Sequence, residues 1–192
     1  MSDRHWFGPS SKSSKGTGHP VMFGEPRQTE HFEPYADGGG YPKGFLEWAY
    51  DLMRVTDAAN VLHLCSGSVT SGITVDIRPE RNPTIVADCR NVPLPDESFD
   101  WILADPPYSE DYATNLYGTG EHYPKPGEIA REAARLLKPG GLFGLLHFQV
   151  PMVRKPLRIV NVYGITTGAG YAIRAWTLLR KDNRAQLIGV EL

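Results

Sequence analysis

Cysteine is almost absent from this chain, with two in 192 residues, so a disulfide framework is excluded as its main source of stability. Cys65 and Cys89 lack metal-ligand spacing and the six histidines are scattered, so no metal centre is expected. Thiol usage of this kind suits a reducing compartment, and a cytoplasmic protein is expected. No apolar run approaches the roughly 20 residues of a membrane span, and no secretory signal pattern is visible. Charge of one sign is missing too. The net charge is −2, so no overall basic field marks the chain as a nucleic-acid binder.

Glycine and proline are plentiful, and their placement divides the chain. Residues 1–30 are rich in Ser, Gly, Lys and Pro, with Trp6 and Phe7 isolated, and read as a flexible N-terminal arm. Residues 31–192 read as one domain, large enough to bury a core. Gly38-Gly39-Gly40 reads as a hinge between them. Helical spacing runs over 41–55, and strands are expected over 61–65, 73–77, 84–88 and 100–104. A short helix is expected over 112–117, a longer one over 127–137 stopped by Pro139-Gly140-Gly141, and a fifth strand over 142–148. A closing pair of strands covers 158–165 and 171–180, the second with Ala172, Arg174 and Trp176 facing outward.

Four of these strands end in chemistry. The first runs into Cys65-Ser66-Gly67-Ser68, a tight loop where a small ligand can approach the backbone. The second ends at Asp76, the third at Asp88 and the fourth at Asp105. Ligands of open α/β sheets bind at that C-terminal edge, and an acid after the second strand suits a ribose diol. The fourth strand stops at Asp105-Pro106-Pro107-Tyr108. Two prolines remove two backbone donors and fix φ, leaving a rigid corner between a carboxylate and an aromatic ring. A corner of this kind can hold a planar amino-bearing ring. The Asp105 carboxylate and the Pro106 carbonyl would accept from an –NH2 group, and Tyr108 would stack on the ring.

In this ordered series the run from Val61 to Gly141 resembles the class I S-adenosylmethionine-dependent methyltransferases. Asp-Pro-Pro-Tyr makes it similar to the amino-methyltransferases of DNA that modify adenine N6 or cytosine N4. The resemblance implies a Rossmann-like α/β fold with a mostly parallel sheet and S-adenosyl-L-methionine as cofactor. It implies that Cys65, Ser66, Gly67 and Ser68 form the cofactor loop, that Asp76 binds the ribose, and that Asp88 with Cys89 meets the adenine. Lys43, in Tyr41-Pro42-Lys43-Gly44, would reach the methionine carboxylate. Asp105, Pro106, Pro107 and Tyr108 would be catalytic. Residues 66–72 and 77–83 are too short for ordinary helical crossovers, so the N-terminal half is expected to be compacted.

The expected partner is DNA, with RNA as a second substrate class. The expected reaction is methylation of adenine N6, with cytosine N4 or an RNA base amine as alternatives. From another class comes a non-catalytic cofactor-binding subunit of a methyltransferase complex. Tyr112, Arg154 and Lys155 would contact substrate. Between Pro151 and Arg184 seven cations (Arg154, Lys155, Arg158, Arg174, Arg180, Lys181 and Arg184) face one acid, Asp182, which reads as a phosphate-contacting surface. There is no room for a sizeable recognition domain, so a homodimer or a specificity-giving partner would supply target choice. A small enzyme of this kind suits a prokaryotic or phage-infected host cell.

Overall fold

The computed structural model describes residues 30–33, 40–120 and 123–183; the arm over 1–29, Gly38, Gly39 and Arg184 lie outside them. The described strands are β1 Glu30–His31, β2 Leu62–Leu64, β3 Ile73–Asp76, β4 Ile85–Val86, β5 Phe99–Ala104, β6 Leu137–His147, β7 Leu157–Thr166 and β8 Arg174–Lys181. They form one sheet in the order β1-β7-β8-β6-β5-β2-β3-β4. β2 lies between β3 and β5, and β4 and β6 extend the parallel run on either side. β8 is antiparallel to both β6 and β7. Strands β2 to β6 therefore deliver their C-terminal ends to one edge, where a ligand site of an α/β sheet is built.

Helices cover both faces. α1, Phe45–Met53, starts after Gly44, which takes a left-handed conformation at φ 79°. It buries Phe45, Ala49 and Met53, one helical turn apart, against Leu103, Leu146 and Trp176. α2, Pro126–Leu136, begins with proline at its first position, where no amide donor is missed. Its buried face, with Ile129, Ala133 and Leu136, meets Leu62, Ile102 and Phe143 on the other side of the sheet. Glu132 on that face is buried too, but accepts from the Val92 amide at 2.8 Å and from Arg135 at 2.6 Å, so its charge is answered.

The compaction expected from the short links is present. No helix joins β2 to β3, and a single 3₁₀ turn, Pro79–Arg81, lies between β3 and β4. Other elements differ from the sequence reading. β6 starts at Leu137, so Pro139-Gly140-Gly141 lies within a strand instead of ending a helix. The strand absorbs it as an irregularity. Phe99 pairs with Leu137, but Trp101 pairs with Leu142, and residues 138–141 bow out between those pairs. The outward assignment of β8 fails as well. Trp176 is fully buried and Arg174 is 5% exposed, because their face of the strand turns toward α1 and the Asp-Pro-Pro-Tyr corner. Among the described residues no helix is long and apolar enough to cross a membrane.

Candidate active site

The Gly loop follows β2 directly. Cys65 adopts φ 54° and Gly67 φ 55°, and this left-handed kink turns the chain back so that the Gly67 amide donates to Asp76 Oδ2 at 2.9 Å. Ser66 is buried beside it, and its hydroxyl has no partner among the described residues. The loop borders a cleft lined by Cys65, Gly67, Asp76, Asp88, Cys89, Asp105 and Pro107, together with Gly40, Tyr117, Thr119 and Pro124. Seven residues singled out from sequence thus surround one space.

Asp76 and Asp88 share a local design. Each carboxylate accepts the amide and the guanidinium of the arginine two positions on. Arg78 donates from N at 3.0 Å, Nε at 3.0 Å and an NH2 nitrogen at 3.2 Å; Arg90 donates from N at 2.9 Å, Nε at 2.9 Å and NH2 at 2.6 Å. Burial pushes the Asp76 carboxyl up, but Arg78 and the Gly67 amide outweigh it and hold the group below its usual 3.8. Asp76 is therefore ionised at neutral pH with both oxygens engaged. Arg78 also covers the Tyr117 ring at 4.9 Å, linking the acid to the roof of the cleft. Neither arginine was singled out from sequence, although the repeated Asp-x-Arg spacing was legible there.

Cys65 and Cys89 are free thiols with sulfurs 3.1 Å apart. The Cys89 contact, then burial, then the charges of Asp76 and Asp105 push the Cys65 thiol well above its usual range. The Cys65 thiol therefore stays protonated at neutral pH, and both side chains line the cleft as apolar groups.

The Asp-Pro-Pro-Tyr corner projects from β5. The Tyr108 hydroxyl donates to Asp105 Oδ1 at 2.7 Å and accepts from Arg174 at 3.1 Å. The Tyr108 ring sits 4.6 Å from Phe148 and 5.9 Å from Tyr112, and meets His147 edge-on at 5.5 Å. His147 is fully buried, and burial drives it down to about 4 against an opposing contribution from the Pro107 backbone. The Gln149 amide donates to its Nδ1 at 2.9 Å, so the neutral ring carries its proton on Nε2. The short helix expected over 112–117 is one π-helical turn, Tyr112–Leu116, leading to Tyr117, which lines the cleft.

Other residues are not brought to this cleft. Lys43 is exposed, pairs with Glu33 at 2.9 Å, and lines a separate groove with Ser68. Arg154 and Lys155 line a groove against α2. The six of the seven cations that lie among the described residues do not form one surface. Arg158 pairs with Asp182, Arg180 donates to the Gly140 carbonyl, and Lys181 is buried on the Leu137 carbonyl at 2.7 Å. Arg174 lies behind the Asp-Pro-Pro-Tyr corner. Among the described residues no cluster of His, Cys, Asp and Glu could hold a metal.

Comparison with known proteins bears on the family and the fold. Residues 47–145 match the methyltransferase domain family. The chain belongs to that family, with the class I methyltransferase fold and S-adenosyl-L-methionine as its cofactor. TrmN from Thermus thermophilus superimposes with a TM-score of 0.52 at 18% identity, over 74% of this chain and 50% of TrmN. The chain thus spans half the length of that protein. A putative methyltransferase solved in complex with the Haloferax volcanii Trm112 activator gives a TM-score of 0.52 at 15% identity, covering 72% of this chain and 89% of the other. A putative sarcosine dimethylglycine methyltransferase from Galdieria sulphuraria gives 0.50 at 14% identity, covering 72% and 84%. At these identities the likeness is one of fold. No curated protein sequence matches the chain.

The cleft fits the cofactor. Its donor set suits a nucleoside, with Asp76 at the end of β3, Asp88 just beyond β4, and the Cys65 and Gly67 backbone beside them.

Proposed function

We propose that this protein transfers a methyl group from S-adenosyl-L-methionine to the exocyclic amine of a nucleic-acid base, with adenine N6 of DNA as the leading substrate. The observation that carries the reading is the position of Asp105, which lines the same cleft as Asp76 and Asp88 and ends the strand leading to two prolines and a tyrosine. When bound, the cofactor supplies a methyl group on a positively charged sulfur, already activated for transfer.

The residues of this chain then have modest tasks. Asp76 and Asp88 would hold the nucleoside part, each fixed in place by hydrogen bonds from its arginine. Asp105 would accept a hydrogen bond from the target amine, and the Pro106 carbonyl would accept the other. Together they would orient the nitrogen and stabilise the positive charge that grows on it during attack. Asp105 need not take a proton before the methyl arrives. Phe148 and Tyr112 flank Tyr108 and are 43% and 42% exposed, offering aromatic surface to a base. Such a base must leave its duplex stack to enter. Cytosine N4 or an RNA base amine would present the same donors to the same corner. Target choice would come from a second copy or a partner. The Haloferax neighbour's complex with an activator is one such arrangement, and makes a partner requirement worth testing.

The test is incubation of DNA and RNA, duplex and single-stranded, with isotope-labelled cofactor, followed by digestion and mass spectrometry of the nucleosides. Label on N6-methyladenine is expected. Label only on a small-molecule acceptor, or on a ring carbon, would contradict the reading.

A further inference from the structure

We infer that Arg174 is a positioning residue for Asp105 and acts through the Tyr108 hydroxyl. The inference deepens the reading above, since it takes Asp105 as the group that meets the target amine. Arg174 looked like one cation among seven on a basic face. Its strand register says otherwise. Ala175 pairs with His147 at the end of β6, and Arg174 pairs with Ile165 of β7, so Arg174 enters β8 at the ligand edge of the sheet. It is 5% exposed, on the face that carries Trp176 into the core. From there it donates to the Tyr108 oxygen at 3.1 Å, and that oxygen donates to Asp105 Oδ1 at 2.7 Å.

A hydroxyl that accepts from a cation is polarised and becomes a stronger donor, so the two bonds reinforce one another. Two consequences follow. One oxygen of Asp105 is committed to Tyr108, which fixes the plane of the carboxylate. A positive charge also stands one hydroxyl behind the carboxylate and favours its anionic form. On the cleft side Asp105 faces Cys65 and Tyr117, and both are pushed up partly by its charge. Neutral His147 adds no charge beside Tyr108 at pH 7. Arg174 is a cation placed to act on Asp105 through the tyrosine. A buried arginine serving only to fill space would not couple to Asp105 at all.

The test uses the full chain and the variants Arg174→Ala, Arg174→Lys, Tyr108→Phe and the Arg174→Ala/Tyr108→Phe pair. One arm needs no acceptor. Aspartate labelled with ¹³C at its carboxyl is followed by NMR through a pH titration, with Asp105 assigned by its loss in Asp105→Asn. Arg174→Ala and Tyr108→Phe are each expected to move the Asp105 midpoint up by about half a unit or more, and the pair to move it little further. Arg174→Lys is expected to restore part of the shift. Affinity for S-adenosylhomocysteine should stay within about twofold, since the relay does not meet the cofactor. In the transfer arm, kcat should fall about tenfold in both single variants with little change in the cofactor KM, and the two losses should not multiply. An Asp105 titration unmoved in folded Arg174→Ala, or independent effects of the two substitutions, overturns the inference. If Arg174→Ala does not fold, Arg174→Lys and Tyr108→Phe decide the same question. If the wild type methylates no nucleic acid, the substrate reading falls and the NMR arm alone judges the relay.

Discussion

Asp76 carries four donors, from the Gly67 amide and from Arg78, so on the proposed reading a cofactor ribose would join a carboxylate already fixed in place. Replacing it with alanine removes the acceptor and leaves Arg78 facing the cleft unanswered. Asp76→Ala is expected to weaken S-adenosylhomocysteine binding at least tenfold by calorimetry, the equivalent of one charge-assisted bond at ~1.5 kcal/mol. Unchanged affinity in a folded variant would remove Asp76 from the site. Tyr108 makes a second claim at this scale. Stacking alone would leave Tyr108→Phe active, whereas the hydroxyl contact to Asp105 makes the same change damaging. The strand-end acids and the Asp-Pro-Pro-Tyr corner were legible in sequence because their types and order are unusual. Their arginine partners went unremarked although the Asp-x-Arg spacing recurs, because a cation near an acid on a loop reads equally well as solvated surface.

Elements tell a similar story. β5 and α2 were legible because an apolar run and a 3.6-residue period each allow one reading. β8 was not, because Arg174 alternates with Trp176 and a charge is ordinarily placed outward; only the buried partner Tyr108 reverses that. The Pro-Gly-Gly run misled for a related reason, since a stop signal for a helix can equally be a strand irregularity. The β6–β8 pairing depends on a close approach that sequence cannot show. A Cβ added at Gly144 would lie 2.0 Å from the Trp176 indole, which is fully buried against α1. Gly144→Ala should therefore destabilise the fold by about 1–3 kcal/mol, or more if the indole cannot shift. Urea unfolding checks this, and a midpoint equal to the wild type would show that the contact yields.

At the scale of the whole molecule, two buried histidines set the response to acid. Burial lowers both His63 and His147 from 6.5 to about 4, and both are fully enclosed. Between those values the unfolded chain binds protons that the folded chain does not. Stability is therefore complete above about pH 6.5 and declines as pH falls toward 4, by up to about 3 kcal/mol per histidine. Thermal melts from pH 7.5 to 4.5 should show that decline. His63→Gln should remove about half of it, since the glutamine carries no titrating proton and the His147 share remains, and a profile unchanged from the wild type would assign the loss elsewhere. The arm over 1–29 lies outside the described residues, and its composition gives it no core-forming face. Its deletion should leave the melting temperature nearly unchanged, and a large drop would mean that it packs on the domain.

The central claim is that one cleft divides its labour between acids that hold the cofactor and one acid, Asp105, that holds the acceptor amine. Asp105→Ala tests that division most directly, with S-adenosylhomocysteine affinity measured by calorimetry and methyl transfer to nucleic acid measured on the same preparation. The expected result is affinity close to the wild type with transfer abolished. Substantial transfer in Asp105→Ala, or a collapse of cofactor affinity alongside its activity, would contradict the account.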